Sequence, residues 1–241
     1  MGKSISRFLP TPARTAEECE RHYSQVHVRM AQDLLRPMPA LVSYDIDRAL
    51  AQADVTGRWF QRPHAWRFVV LRFVAGEALA FTPEQNEMVA QDQVNCLYRL
   101  RHCDVEETVR LDRLGGQLTL AKFMLEADRP PSVDPEQAWA AFGALADRVE
   151  AAMEGAFGAR ALIVNRALAE LECEPVDVEG QRPIGLLPET TRVGYIEAYF
   201  DHRRWGEEAL GPLADGGGLR VSDLTDVNLL HVEEQAALSV R

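Results

Sequence analysis

The spacing of apolar residues changes period several times along the chain, and each change marks an element. In "KSISRFLP" apolar and polar residues alternate, as in a strand, until Pro10 ends the run. From Thr15 the spacing becomes helical, with Cys19, Tyr23, Val26, His27, Met30, Ala31 and Leu34 on one stripe. Thr15 and Glu18 form a capping box at its start, and Pro37 and Pro39 stop it. "ALVSYDIDRAL" and "WRFVVLRFVAG" read as strands either side of the loop "DVTGRWFQRPHA". A second helix, capped by Thr82 with Pro83 at its first position, is predicted to run through residues 83–100, and "HCDVEETVRLD" is a closing strand.

After Gly115 the same order recurs. "QLTLAKFMLEA" is a strand and residues 134–156 a helix capped by Asp134; "ARALIVNRALAEL" is a strand, and residues 172–191 a Pro/Gly/Glu-rich insertion. "RVGYIEAYFDH", "RRWGEEALGPL" and "LRVSDLTDVNLLHVEE" supply strand, short helix and strand. The expectation is an α+β protein of two tandem ferredoxin-like β-α-β-β-α-β repeats, residues 1–114 and 117–241. Each four-stranded sheet has one face covered by helices and a second left to bury, so the two sheets are expected to pack face to face into a barrel within one chain.

Composition narrows the partners. The 241 residues are 46% hydrophobic with a net charge of -11, which suits a globular chain and disfavours nucleic acid, since phosphate binding needs a concentrated basic face. No window approaches a membrane span, and "MGKSISRFLP" lacks a signal peptide's apolar core, so a soluble, cytoplasmic protein with no membrane partner is expected. Cys19, Cys96, Cys103 and Cys173 have neither CxxC spacing nor disulfide-scaffold density and are read as reduced, mostly buried thiols. No HxxxH, HExxH or clustered Cys/His set occurs, so no metal is expected; no phosphate loop, GxSxG elbow or other Ser-His-Asp arrangement is visible.

Several residues break the core pattern. His27 stands four residues from Tyr23 on the buried stripe, whereas His22, five from His27, falls on another helix face and reads as solvated. An imidazole titrates near about 6.5, so one partly withdrawn from water tends to be neutral near pH 7 and able to accept or donate a proton; a core imidazole satisfied by backbone or tyrosine hydroxyls is the alternative. Trp59, Phe60, His64 and Trp66 crowd aromatic surface into a connection, either as a substrate wall or as filling between the two halves. Arg72 and Asn165-Arg166 interrupt strands and point to a bound anion or to structural pairs. Asp92 and Asn95 suit a cap or an inter-helix hydrogen bond, His231 the core, and Tyr195 with Tyr199 a cavity wall.

The run "TAEECERHYSQVHVRMAQDLLRPMPALVSY", followed by "FTPEQNEMVAQDQVNCL", resembles the EthD-like family of the dimeric α+β barrel superfamily over roughly residues 4–110. Tyr23 falls at that family's usual helix aromatic, His27 at its signature histidine and Tyr44 at its strand aromatic, with Asp92 and Asn95 at polar positions of the later helix. The second half shares topology only: residues 135–155 hold no histidine, and Trp139, Phe142, Leu145, Ala146, Val149 and Met153 read as plain core. The resemblance implies a cofactor-free enzyme, a lyase, dehydratase or isomerase, acting on a small lipophilic, aromatic or polyketide-like molecule. His27 is then the general acid/base, Tyr23 and Tyr44 polarise or position the substrate, and Trp59, Phe60, His64, Trp66, Arg72 and Met30 bind it. A cofactor-free or haem-linked monooxygenase and a non-catalytic carrier are the alternatives, and pairing of two such chains into a homodimer stays open.

Overall fold

In the computed structural model, residues 1–54, 56–61, 66–77, 80–115, 120–173, 185–186 and 191–239 are described. The elements are β1 (Gly2–Pro10), α1 (Ala16–His22), a π-turn (Tyr23–His27), α2 (Val28–Leu35), β2 (Leu41–Ala53), β3 (Trp59–Phe60), β4 (Arg67–Phe73), α3 (Pro83–Gln93) and β5 (Leu97–Asp112). Then follow β6 (Ala121–Asp128), α4 (Pro135–Glu154), β7 (Ala159–Cys173), β8 (Gly185–Leu186), β9 (Arg192–Phe200), α5 (Arg203–Ala214) and β10 (Thr225–Ser239). Thr15, Thr82 and Asp134 cap α1, α3 and α4 as their sequence positions suggest. The second of these helices is shorter than its apolar pattern. After Gln93 the amides of Asn95 and Cys96 bond back to the carbonyls of Asp92 and Gln93, and the chain turns so that Cys96 and Leu97 enter the core.

The expected α+β fold of two tandem ferredoxin-like sheets packed face to face is corrected by the strand pairing. Eight long antiparallel strands run in the order β10-β6-β9-β7-β5-β1-β4-β2, and β10 bonds back to β2, closing a single barrel with few helices. Strand length supplies one reason. The strands at the two junctions, β2, β5, β7 and β10, have 13 to 16 residues, whereas the others have 7 to 9. A long strand with a free edge leaves backbone N–H and C=O groups unpaired, and joining edge to edge satisfies them.

The inner faces supply the second reason. Along β6, Phe123, Leu125 and Ala127 pack with α4 and α5, while the alternate residues Lys122, Met124, Glu126 and Asp128 point inward. Met124 meets Ile5, Phe68, Val70, Cys103 and Leu230 in an apolar central plug. Ion-paired layers lie on either side. In one, Lys122 Nζ is 2.7 Å from Asp47, 2.8 Å from Glu197 and 2.7 Å from Glu234, while Lys3 pairs with Glu107 and Glu197. In the other, Arg192 reaches Glu126 at 3.0 Å and Asp128 at 3.1 Å, and Arg101 reaches Asp128 at 2.8 Å and also Glu170. An opposing apolar sheet leaves such charges unpaired; a closed ring pairs them with each other. Tyr195 and Tyr199 line this filled interior, the Tyr199 hydroxyl donating to Glu197 at 3.1 Å, and Asn165 donates to Glu197 at 2.9 Å. Arg166 pairs with Glu136 and lies over the Trp139 ring.

The helices pack outside. Helices α4 and α5 cover one side of the barrel through Phe142, Leu145, Val149, Met153 and Leu210; α1 and α2 cover the other through Cys19, Tyr23 and Leu35. Among the described residues no helix is long and apolar enough to cross a membrane. Cys19, Cys96 and Cys103 are free and buried.

His231, on β10, is buried against the Phe123 ring with its Nδ1 unbonded. Burial, then Arg203, pushes its pKa from 6.5 down to about 4. Its neutral form therefore stabilises the fold above pH 6.5, and that contribution is lost as pH falls through about 4. A His231→Leu variant should show a flatter decline of melting temperature between pH 6.5 and 4 than the parent chain; an unchanged slope would assign the acid sensitivity elsewhere.

Candidate functional site

The capping box that opens α1 is formed: Glu18 N–H donates to Thr15 Oγ1 at 3.2 Å, and Thr15 N–H to Glu18 Oε2 at 2.9 Å. One and a half turns on, the helix widens. At Tyr23–His27 the bonding shifts to i→i+5, with Val28 N–H donating to the Tyr23 carbonyl. In a regular α-helix residues five apart diverge by about 140°, the reason for reading His22 as solvated. The π-turn removes that divergence and brings His22 and His27 to one carboxylate. His22 Nε2 lies 2.8 Å from Asp92 Oδ1, and His27 Nδ1 lies 2.6 Å from Asp92 Oδ2. His22 is thus a partner in the cluster rather than a solvated side chain, and Asp92 makes an inter-helix bond.

Burial alone raises the Asp92 carboxyl, but the hydrogen bonds from His27 and His22 outweigh it and hold the group below its ordinary value of 3.8. An ionised Asp92 accepts an N–H from each ring. His27 then carries its proton on Nδ1 and turns a basic Nε2 outward, an assignment that follows from the hydrogen bonds. Helix α3 buries little besides Gln93 and is stapled mainly by polar contacts, the Asp92 pair and Arg14 to Asn95 at 2.8 Å. In Asp92→Ala, amides of residues 86–93 should exchange with deuterium about ten- to a hundredfold faster, the worth of losing charge-assisted bonds. Unchanged protection there would mean that apolar contacts alone hold the helix.

A cavity of about 730 Å3 opens between the outer face of β1, β2, β4 and β5 and the helices α2 and α3. Its wall is largely apolar, with Phe8, Leu35, Val69, Leu71, Phe81 and Val89, and its polar groups include His27, Tyr44, Ser6 and His102. Tyr23 lies buried beside it, its ring 4.8 Å from the His27 ring and edge-on to Trp66 at 5.3 Å, with the Arg67 guanidinium 3.7 Å over its face. Arg67 is held in turn by Glu20 at 2.6 Å. The Tyr23 hydroxyl is buried without a well-formed hydrogen bond, facing electrostatically onto Tyr44. Burial raises the Tyr23 phenol well above 10 and the Tyr44 phenol to about 12, so both stay protonated at neutral pH.

The other sequence candidates divide. His27 and Tyr44 line the cavity, and Tyr23 and Trp66 form the cluster beside it. Trp59 is placed elsewhere: it packs edge-on to Phe123 at 5.4 Å, in the cluster under α4 and α5. Arg72 points into the barrel, its Nη1 3.1 Å from Asp45, instead of toward a ligand. Met30 is half-buried on α2 and outside the cavity wall. Phe60 contributes backbone to β3, and His64 lies outside the described residues. Ser6 and His102 were missed in sequence because each alternates with apolar or charged neighbours as any half-buried strand residue does. Among the described residues no group of three His, Cys, Asp or Glu side chains surrounds a common metal position.

The corresponding space on the other side of the barrel is filled. The α4 stripe Phe142, Leu145, Ala146, Val149 and Met153 is fully or nearly fully buried there. Gly194 on β9 has no room for a side chain: a methyl there would run into the Asn165 carbonyl of the neighbouring strand and come within 2.9 Å of the Phe142 ring on α4.

No protein-family model matches the chain, and no curated protein matches it in sequence. Among solved structures it is similar to an anthrone oxidase-like protein, at 11% identity and a TM-score of 0.50, over 98% of this chain and 92% of that one. It is also similar to candidate monooxygenases from Lactobacillus acidophilus NCFM (9% identity, TM-score 0.46, 99% and 97% covered) and Fusobacterium nucleatum subsp. nucleatum (6%, 0.46, 100% and 97%). The likeness to the first of these is one of fold.

Proposed function

We propose that the chain is a small-molecule enzyme of the EthD-like type that removes a proton from a lipophilic aromatic ketone or phenol, with His27 as general base. The observation that carries this reading is the His27–Asp92 pair: Nδ1 is tied to a carboxylate at 2.6 Å, which leaves Nε2 for a cavity walled chiefly by apolar side chains. A base oriented by a second group and facing a largely apolar cavity is an arrangement suited to proton abstraction next to a carbonyl. Tyr44, protonated and lining the same cavity, supplies a hydrogen-bond donor for the ring system.

Proton abstraction is the step common to isomerase, dehydratase and cofactor-free oxygenase chemistry. The resulting carbanion is reprotonated, expels a leaving group, or reacts with oxygen. The neighbour named for anthrone oxidation favours the third outcome for a tricyclic ketone. The test measures exchange of benzylic hydrogens of 2-tetralone in deuterium oxide, and oxygen uptake with anthrone in air against nitrogen. Accelerated exchange supports the reading, and oxygen uptake assigns the oxygenase branch. Protein that binds 2-tetralone without accelerating its exchange is a carrier, and that result overturns the enzyme reading.

A further inference from the structure

The sequence shows no Ser-His-Asp arrangement, yet the sheet assembles one. Strands β1 and β5 are antiparallel neighbours, and their register sets Ser6 opposite His102. Ser6 Oγ lies 2.8 Å from His102 Nδ1, and His102 Nε2 lies 3.7 Å from Asp104 Oδ1, two residues on along the same strand face. All three line the cavity that holds His27. Ser6 itself is 5% exposed, and a hydroxyl bonded once to an imidazole keeps a further donor or acceptor site for the cavity. The His102 ring beside it lowers the Asp104 carboxyl, so a negative charge stands near the imidazole.

Position separates this group from the base. Ser6 lies two residues, about 7 Å along β1, from Phe8. The Phe8 ring meets Tyr23 edge-on at 6.2 Å, and Tyr23 lies against His27. One cavity therefore holds two histidines, each beside its own carboxylate, at different places on its wall. Nucleophilic attack by Ser6 is disfavoured by its setting: it lies mid-strand, paired on both sides by β4 and β5, so its backbone N–H serves the ladder rather than an oxyanion.

We propose that Ser6, backed by His102 and Asp104, binds and protonates the substrate's carbonyl or phenolic oxygen while His27 works on the carbon. This rests on the proton-abstraction reading above. In the forward step His27 Nε2 takes the proton from carbon, and the C–H electron pair becomes a carbon–carbon double bond. The carbonyl π pair moves onto oxygen, which takes the Ser6 hydroxyl proton, and Ser6 takes the Nδ1 proton of an imidazolium at His102. The product is the enol, with His27 protonated and His102 neutral, and exchange with solvent restores both. Ser6 is the catalytic residue of this pair and His102 its positioning residue. The ligand class is narrowed to fused-ring systems whose acidic carbon is attached to, or conjugated with, a carbonyl or phenolic oxygen.

The experiment compares 2-tetralone with tetralin, the same bicycle without oxygen, as ligands of the full chain. The parent protein should prefer the ketone, and Ser6→Ala should weaken 2-tetralone about tenfold while leaving tetralin within about twofold, the worth of one neutral hydrogen bond. Ser6→Thr, which keeps the hydroxyl, should restore the preference. His102→Gln should remove one limb from the pH profile of exchange, and Ser6→Thr should retain it. Equal weakening of both probes, or an unchanged ketone preference in Ser6→Ala, overturns the proposal and leaves the His27 reading standing if exchange is still accelerated. Failure of the parent protein to bind either probe overturns both.

Discussion

His27→Ala is expected to slow benzylic exchange of 2-tetralone by about a hundred- to ten-thousandfold, the usual worth of a positioned general base, with tetralin affinity held within about twofold. The split follows from the geometry. The ring contributes one nitrogen to the cavity wall and a second to Asp92, so truncation removes the base yet leaves Phe8, Val69, Leu71 and Phe81 in place. Asp92→Asn tests the orienting role: an amide can donate to Nδ1 and so favours the tautomer with its proton on Nε2, which can no longer act as base. That variant should lose much of the rate without losing ligand. Because the Asp92 pKa is depressed, its carboxylate is present above pH 4 and lost only as pH falls further, so no limb between pH 5 and 8 should arise from it. Tyr23→Phe should have a small effect, since its hydroxyl is buried beside the cavity. Exchange that survives His27→Ala at near-parental rate would remove this residue from the chemistry.

Lys122→Met is expected to lower unfolding free energy by about 3–5 kcal/mol at pH 7, measured by denaturant titration. The ammonium is fully buried among Asp47, Glu197 and Glu234, and removing it strands carboxylates inside the barrel. Burial already pushes Asp47 up to about 7 against the pull of Lys122, and the loss of the cation raises it further. A carboxyl with a raised folded pKa favours the folded state once protonated, so the deficit should shrink as pH falls from 7 toward 5. Replacing Asp47 by Leu in the same chain should recover part of the loss, because an apolar filling of similar size avoids the unpaired charge. A deficit under about 1 kcal/mol, independent of pH, would show that water or rearrangement satisfies the network.

Local chemistry was legible in the sequence and long-range geometry was not. Caps at Thr15, Thr82 and Asp134 and the helix starts they mark depend on residues three apart, and they stand where the pattern puts them. The stripe placed Tyr23 and His27 on the buried face of their helix, where they are, but the π-turn between them leaves Val26 of the same stripe exposed. His22 was misplaced because "YSQVH" contains neither Gly nor Pro, so nothing local announces a π-turn; the bond to Asp92, 70 residues away, lies beyond any periodicity. The inward charges were visible as interruptions in strands, but alternation only says which residues share a face. Whether Lys122 and Glu197 face solvent, a second sheet or each other depends on closure, which is set by pairings such as β2 with β10 across the length of the chain. Trp59 shows the same limit: its aromatic loop was conspicuous, and the face on which it landed was not.

Closure within one chain changes how the barrel responds to dilution. Both seams, β5 with β7 and β2 with β10, join segments of a single polypeptide. Their formation is unimolecular, so barrel closure itself does not depend on protein concentration, whereas a barrel assembled from two chains gains stability by mass action as concentration rises. It also frees the two sides from symmetry. Two identical chains must carry identical surfaces, so a cavity gained is a cavity gained twice. Here the α1–α3 side can keep its space open while the α4–α5 side fills with Phe142 and Met153, one side supplying the packing that lets the other stay hollow.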